Sequence, residues 1–95
     1  MNNSDSIAIP NDMLIPKAAW CTPSHLEVQL ESGLMLQVPL KWYGFLQALT
    51  HAERNQIICT GMGLLFEAAE EFISIEGLLL AWQQKASKEL LDAAE

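Results

Sequence analysis

Apolar and polar side chains alternate along residues 24–38, which is the pattern of strands with one buried face. The apolar set before the turn is Leu26, Val28 and Leu30, and the set after it is Leu34, Leu36 and Val38. The residues that should face outward are His25, Glu27, Gln29, Glu31, Met35 and Gln37. A period of two predicts a β-hairpin whose apolar face covers the core.

The length of the hairpin loop follows from the alternation, because residues paired across a hairpin share a face. Leu30 must oppose Leu34, which leaves a three-residue loop, Glu31-Ser32-Gly33. A two-residue loop would pair Leu30 with Met35 and put the apolar sets on opposite faces. The favoured three-residue loop ends in a left-handed residue, and Gly33 adopts that conformation without steric cost.

A helical period replaces the alternation after Pro39, which ends the strand because it has no N–H to donate. Four apolar residues then follow at i, i+3, i+4 and i+7: Trp42, Phe45, Leu46 and Leu49. This spacing predicts a short central helix with Trp42 in its buried stripe. Thr50 and Glu53 have the spacing of a capping box, so a second brief helical segment is predicted from His51.

The second half of the chain predicts short strands and a closing helix. Strands are expected at residues 17–21, 56–60, 64–67 and 72–75, with turns at residues 61–63 and 70–71. From Glu76 a helix carries an apolar stripe: Leu79, Trp82, Ala86, Leu90 and Ala93. The predicted fold class is α+β, a small antiparallel sheet packed against a short central helix and a longer C-terminal helix. That sheet comprises the N-terminal hairpin plus two or three further short strands.

A chain of 95 residues has room for one hydrophobic core. We predict a flexible or extended lead-in over residues 1–16 and a single α+β domain over residues 17–79. Residues 80–95 are expected to form a C-terminal helical extension. The stripe of this extension, with Trp82 and Leu90, suits packing on the domain or on a second copy of the chain.

The charge is acidic, with twelve Asp and Glu against five Lys and Arg and a net charge of −7. Binding to a nucleic-acid backbone needs clustered basic side chains, whereas those of this chain are scattered. Direct nucleic-acid binding is therefore not expected. The acidic surface suits either solubility or a small basic protein partner.

The cysteines and the apolar runs indicate a cytoplasmic chain without a membrane partner. Cys21 and Cys59 are too few for a disulfide framework. No basic residue precedes Lys17, which is unlike a secretory signal. The longest apolar run, residues 57–66, is about half the length that spans a bilayer.

Glycine and glutamate pairs offer no catalytic motif. Gly61 and Gly63 begin a G-x-G pattern, but the third glycine of the nucleotide-binding fingerprint would fall at Phe66. The neighbouring Glu70 and Glu71 project to opposite sides of an extended chain, so they do not converge on one substrate atom.

The histidine and cysteine residues offer no catalytic or metal-binding motif either. Neither His25 nor His51 has a second ligand at metal spacing. Cys59 lies in an apolar run that raises the pKa of a thiol, so an inert core cysteine is favoured over a Cys59–His nucleophilic pair. We predict no enzymatic activity, no cofactor, no metal and no small-molecule substrate.

Residues 38–55, VPLKWYGFLQALTHAERN, resemble the bacterial domain-of-unknown-function family 2442. The resemblance extends over about residues 24–79 and includes ISIEGLL at residues 73–79. The matched positions include Gly33, Val38, Pro39, Leu40, Trp42, Leu46, Ala48, Thr50, Glu53, Arg54, Gly61, Gly63 and Phe66. The resemblance implies a small α+β fold without an established enzymatic activity. Family members are often encoded beside another small protein, which implies a toxin–antitoxin role.

One departure from the family pattern singles out Phe72. Where the family carries Trp-Pro-Asp-Leu-Asp-Glu-Asp, residues 66–72 read FEAAEEF. Ile73 and Ile75 are expected to face the core, so Phe72 should point away from it, exposed or covered by the C-terminal helix. An aromatic side chain in place of a surface acid indicates a contact surface. The candidate interface residues are Phe72, Tyr43, Trp82 and Leu90.

The predicted function is protein interaction, as the acidic, antitoxin-like partner of a small protein encoded nearby. A homodimer formed through the C-terminal helix is a further expectation. The alternative is an accessory transcriptional or nucleic-acid regulator that acts through a partner.

Overall fold

Two three-stranded antiparallel sheets and one long C-terminal helix form the structure. It is a computed structural model that describes the backbone of residues 10–94 and the side chains of residues 10–85. The α+β class predicted from the sequence is confirmed, with the strands divided between two small sheets rather than gathered in one.

The first sheet contains β1 (Pro16–Cys21), β2 (His25–Leu30) and β3 (Met35–Pro39), in that spatial order. Val28 is paired with Leu36, as the shared apolar face requires. The Leu30 amide donates to the Leu34 carbonyl at 2.9 Å, so the three-residue loop is confirmed. Gly33 closes this loop with φ of 98°, the left-handed conformation predicted for it.

Leu34 departs from the predicted hairpin, because its side chain is 49% exposed rather than buried. Strand β3 begins only at Met35, and Leu34, between the loop and this strand, lies beyond the core. Residues 10–15 of the predicted lead-in are connected to this loop by backbone hydrogen bonds. The carbonyl of Ile15 accepts from Glu31 at 2.9 Å, and that of Asp12 accepts from Ser32 at 3.0 Å. Residues 1–9 of that lead-in lie outside the described part.

Two short helices connect the sheets: α1 (Gly44–Ala48) and α2 (His51–Arg54). The predicted helix start at Trp42 is wrong, because Tyr43 is extended (φ −128°, ψ 104°) and Trp42 belongs to a preceding 3₁₀ turn. Trp42 still packs against the core, as its place in the stripe required. The capping box is confirmed, since Thr50 Oγ1 accepts from the Glu53 amide at 3.1 Å and Glu53 Oε1 accepts from the Thr50 amide at 2.9 Å.

The second sheet contains β4 (Ile57–Thr60), β5 (Gly63–Phe66) and β6 (Glu71–Ser74), again in that spatial order. Gly61 turns the chain between β4 and β5 with φ of 55°. The two sheets meet where β1 lies beside β4. The core between them is formed by buried residues of both sheets, α1 and the last helix, with Leu26, Val28, Leu46, Leu64, Phe66, Ile75 and Leu78 fully enclosed.

Helix α3 (Ile75–Ala94) closes the fold. Ser74 caps its first turn by accepting a hydrogen bond from the Gly77 amide at 2.9 Å. Ile75 and Leu78 are buried, but Trp82, on the same face of the helix, is 53% exposed. A helix of 20 residues is about 30 Å long, and it lies against β5 and β6 of the second sheet. Within residues 10–94, no helix is both long and apolar enough to cross a membrane.

Candidate functional site

The outer face of the second sheet carries an apolar row across all three strands. Leu65 is paired with Ile58 on one side and with Phe72 on the other. Phe72 is 55% exposed while Ile73 packs into the core. The orientation predicted for Phe72 is therefore confirmed, and the helix leaves it open. Cross-strand neighbours on one face lie about 5 Å apart, so the row is continuous.

The ring of Phe72 lies directly over Gly63 on the neighbouring strand. A Cβ atom built on Gly63 would overlap this ring, reaching Cε1 of Phe72 at 2.7 Å and the Ile73 carbonyl oxygen at 2.8 Å. An aromatic side chain that covers a strand glycine is held against the backbone on one face. Phe72 therefore presents its other face to solvent in a restrained position.

Tyr43 and Phe72 line one surface depression of about 520 Å³, which we call the Phe72 depression. Its lining residues come from α1 and the residue before it, from β6 and from the first half of α3: Tyr43, Phe45, Glu71, Phe72, Ile73, Ser74, Gly77 and Ala81. The structure thus brings together two of the four candidate interface residues, from distant parts of the chain.

Aromatic contacts connect this depression to the core. The rings of Tyr43 and Phe45 meet edge to face with centroids 6.2 Å apart, and those of Phe45 and Phe66 at 5.5 Å. Such pairs contribute about 0.5–1.5 kcal/mol each beyond their buried area. Burial raises the pKa of the Tyr43 phenol, so this side chain stays neutral over a wide pH range.

The charge around the Phe72 depression is negative. Glu71 is one of its lining residues, and none of the lining residues is basic. Exposed glutamates also occupy the adjacent hairpin loop (Glu67, Glu70) and the first turn of α3 (Glu76). An apolar floor with an acidic edge suits a ligand that combines an apolar group with positive charge.

Trp82 belongs to a different groove, between β3 and α3. That groove has a volume of about 230 Å³ and includes Met35, Leu36 and Leu78. It does not share a lining residue with the Phe72 depression. The side chain of Leu90, the fourth candidate, lies outside the described residues.

Both cysteines are free thiols. Burial raises the pKa of the Cys59 thiol. It also raises the pKa of the Cys21 thiol, although the positive charge of Arg54 acts to lower it. The ring of His25 has Ser24 Oγ 2.7 Å from Nδ1. Among the described side chains, no three His, Cys, Asp or Glu residues converge on a common point.

Two features of the candidate site escaped the sequence analysis. Ile58 lies next to Ile57, and two adjacent isoleucines give no alternation that would assign one of them to the outer face. The role of Gly63 beneath Phe72 was not predicted, because a close approach between a glycine and a ring on another strand leaves no local pattern.

The fold and the site define a small α+β domain whose surface presents a restrained aromatic depression edged by acids. The chain belongs to the family described as protein of unknown function DUF2442, whose family model matches residues 16–84. The resemblance in the sequence is thereby confirmed, and the match runs from β1 to the middle of α3. Neither a curated protein nor a solved structure gives a significant match.

Proposed function

We propose that this chain is a protein-interaction module that binds a protein partner through the Phe72 depression. The observation that carries the proposal is the meeting of Tyr43 with an exposed Phe72 whose ring is restrained over Gly63. Binding energy in protein interfaces is concentrated in a few aromatic and arginine side chains set in pockets. A restrained ring loses little conformational freedom on binding, so more of its contact energy appears as affinity.

The proposed partner is a basic protein. The net charge of −7 accelerates its approach, and Glu71 offers a local counter-charge inside the depression. A lysine or arginine of the partner can lay its apolar stem on the aromatic rings and its cationic group near Glu71. Cation–π contacts of this kind contribute about 0.5–2 kcal/mol.

A toxin-neutralising role is the narrower form of this proposal, and its support is the family resemblance alone. An accessory nucleic-acid regulator would use the same depression to hold a partner that itself binds DNA or RNA. The two forms differ in whether nucleic acid accompanies the captured partner.

The proposal predicts that Phe72→Asp abolishes partner capture. The wild-type chain, Phe72→Asp and Leu34→Asp are expressed with an affinity tag in the source cells, and captured proteins are quantified by mass spectrometry. Leu34→Asp is a matched control because Leu34 is 49% exposed, lies beside the hairpin loop of the first sheet and gains the same charge. We expect one stoichiometric basic protein with the wild type and with Leu34→Asp, and its loss with Phe72→Asp.

Because Phe72 also covers Gly63, the capture result needs a variant that leaves the ring in place. Glu71→Lys reverses the local charge at an exposed position. We expect it to weaken capture of the same protein while the thermal transition, followed by circular dichroism, stays close to that of the wild type. Capture that is equal for the wild type, Phe72→Asp and Glu71→Lys contradicts the proposal.

A further inference from the structure

A second depression shares no lining residue with the Phe72 depression and has the reverse charge. Its volume is about 540 Å³, and it is lined in part by His25, Lys41 and Arg54. The whole chain has five Lys and Arg residues and two His, so three of its seven basic side chains meet here. No acidic residue lines this depression, although acids outnumber Lys and Arg by twelve to five in the chain.

The guanidinium of Arg54 is fixed before any ligand arrives. Its Nε donates to the Leu46 carbonyl at 2.6 Å, and its Nη2 donates to the Gln47 carbonyl at 3.2 Å. Leu46 is fully buried, so this anchor is attached to the core. A guanidinium has five N–H donors, and those not used by the two carbonyls remain for a ligand. A preorganised guanidinium binds phosphate with a smaller loss of side-chain entropy.

The imidazole of His25 is also oriented. Ser24 Oγ lies 2.7 Å from Nδ1. In the protonated ring, and in the neutral tautomer that accepts from Ser24, the opposite nitrogen Nε2 carries an N–H donor. The two walls of the depression are joined, because the Leu40 amide donates to the Ser24 carbonyl at 3.0 Å. This bond holds the backbone next to His25 against the backbone next to Lys41.

The remaining walls are apolar, and they restrict the kind of anion that fits. Pro23, Pro39 and Leu40 contribute apolar surface beside the basic groups. Ligand sites for small organic molecules have volumes of about 300–1,000 Å³, a range that includes this depression. A nucleic-acid polymer would bring many phosphates against a net charge of −7, which disfavours it.

We propose that this depression binds a small organic phosphate, with the phosphate between Arg54, Lys41 and His25 and the organic group against Pro23, Pro39 and Leu40. This is a ligand class that the sequence analysis did not anticipate, because the three basic residues are scattered along the chain. The site is separate from the Phe72 depression, so either can fail without the other.

The test is titration of the ¹⁵N-labelled full chain with phenyl phosphate and with inorganic phosphate, followed by NMR. We expect saturable shifts at Ser24, His25, Lys41 and the Arg54 Nε–H, with tighter binding of phenyl phosphate than of inorganic phosphate. Lys41→Gln is expected to weaken phenyl phosphate binding by about tenfold, the effect of one charge-assisted hydrogen bond. Lys17→Gln removes the same charge from an exposed position on β1 and should leave the affinity unchanged.

Three results would overturn the proposal. The first is an absence of saturable shifts up to about 10 mM ligand, which corresponds to a negligible affinity. The second is an equal loss of affinity in Lys41→Gln and Lys17→Gln, which would indicate attraction to the overall charge. The third is equal binding of the two phosphates, which would remove the role of the apolar walls.

Discussion

Asn55 acts at the junction of the two sheets, where β1 has a strand partner on one side only. Its side-chain amide pairs with the backbone of Cys21 as a neighbouring strand would. Oδ1 accepts from the Cys21 amide at 2.8 Å, and Nδ2 donates to the Cys21 carbonyl at 3.3 Å and to the His51 carbonyl at 3.1 Å. One polar side chain thus connects the first sheet to α2 and to the start of the second sheet.

Replacement of Asn55 by Ala is expected to lower the free energy of unfolding by about 1–3 kcal/mol, because backbone groups of Cys21 lose their partners. Urea denaturation followed by circular dichroism measures the change. Gln56→Ala is the matched control, because Gln56 is the exposed neighbour and surface substitutions of this kind stay within about 0.5 kcal/mol. Equal effects of the two substitutions would show that the Asn55 bridge contributes no stability.

At the scale of elements, the first hairpin could be predicted because its alternation admits one register. The start of α1 could not be predicted from the sequence. The extended backbone of Tyr43 depends on packing that the spacing of Trp42 and Phe45 does not encode. The same limit applies to the candidate site. Phe72 could be assigned to an outer face from its neighbours, but its proximity to Tyr43 and to Gly63 arises from tertiary packing alone.

The contact between Phe72 and Gly63 predicts an energetic coupling between β5 and β6. Gly63→Ala is expected to destabilise the protein by about 1–3 kcal/mol, since the added methyl group meets the ring and the Ile73 carbonyl. In a Phe72→Ala background the ring is gone, so the same substitution should cost less, with a coupling of about 0.5–3 kcal/mol.

Thermal and urea unfolding of the wild type, the two single variants and the double variant measures this coupling. Gly44→Ala is a control without steric conflict, because no atom lies within 4 Å of a Cβ added there. It is expected to be neutral or slightly stabilising in a helix. Additive effects at Gly63 and Phe72 would mean that the ring does not rest on the glycine.

At the scale of the whole molecule, α3 has two parts with different surroundings. Ile75 and Leu78 complete the core, whereas Trp82 on the same face is half open to solvent. Near the end of the described side chains, Lys85 Nζ lies 5.8 Å from the centroid of the Trp42 ring. An exposed contact of this kind contributes about 0.5–1 kcal/mol.

A chain that ends at Gln83 is therefore expected to stay folded. Loss of the Lys85–Trp42 contact should lower its free energy of unfolding by about 0.5–1 kcal/mol. Size-exclusion chromatography with light scattering then reports the role of the helix end. A full-length dimer that becomes a folded monomer assigns the helix end to pairing between copies. Loss of cooperative unfolding would contradict this division of α3.

The central claim is that the Phe72 depression is the partner-binding surface, and site-specific photocrosslinking tests it most directly. A benzophenone amino acid replaces Phe72 in one chain and Leu34 in another, and both are irradiated in the source cells. We predict one crosslinked basic protein from position 72 and none from position 34. Equal crosslinking of that protein from both positions, or its absence at position 72, would contradict the claim.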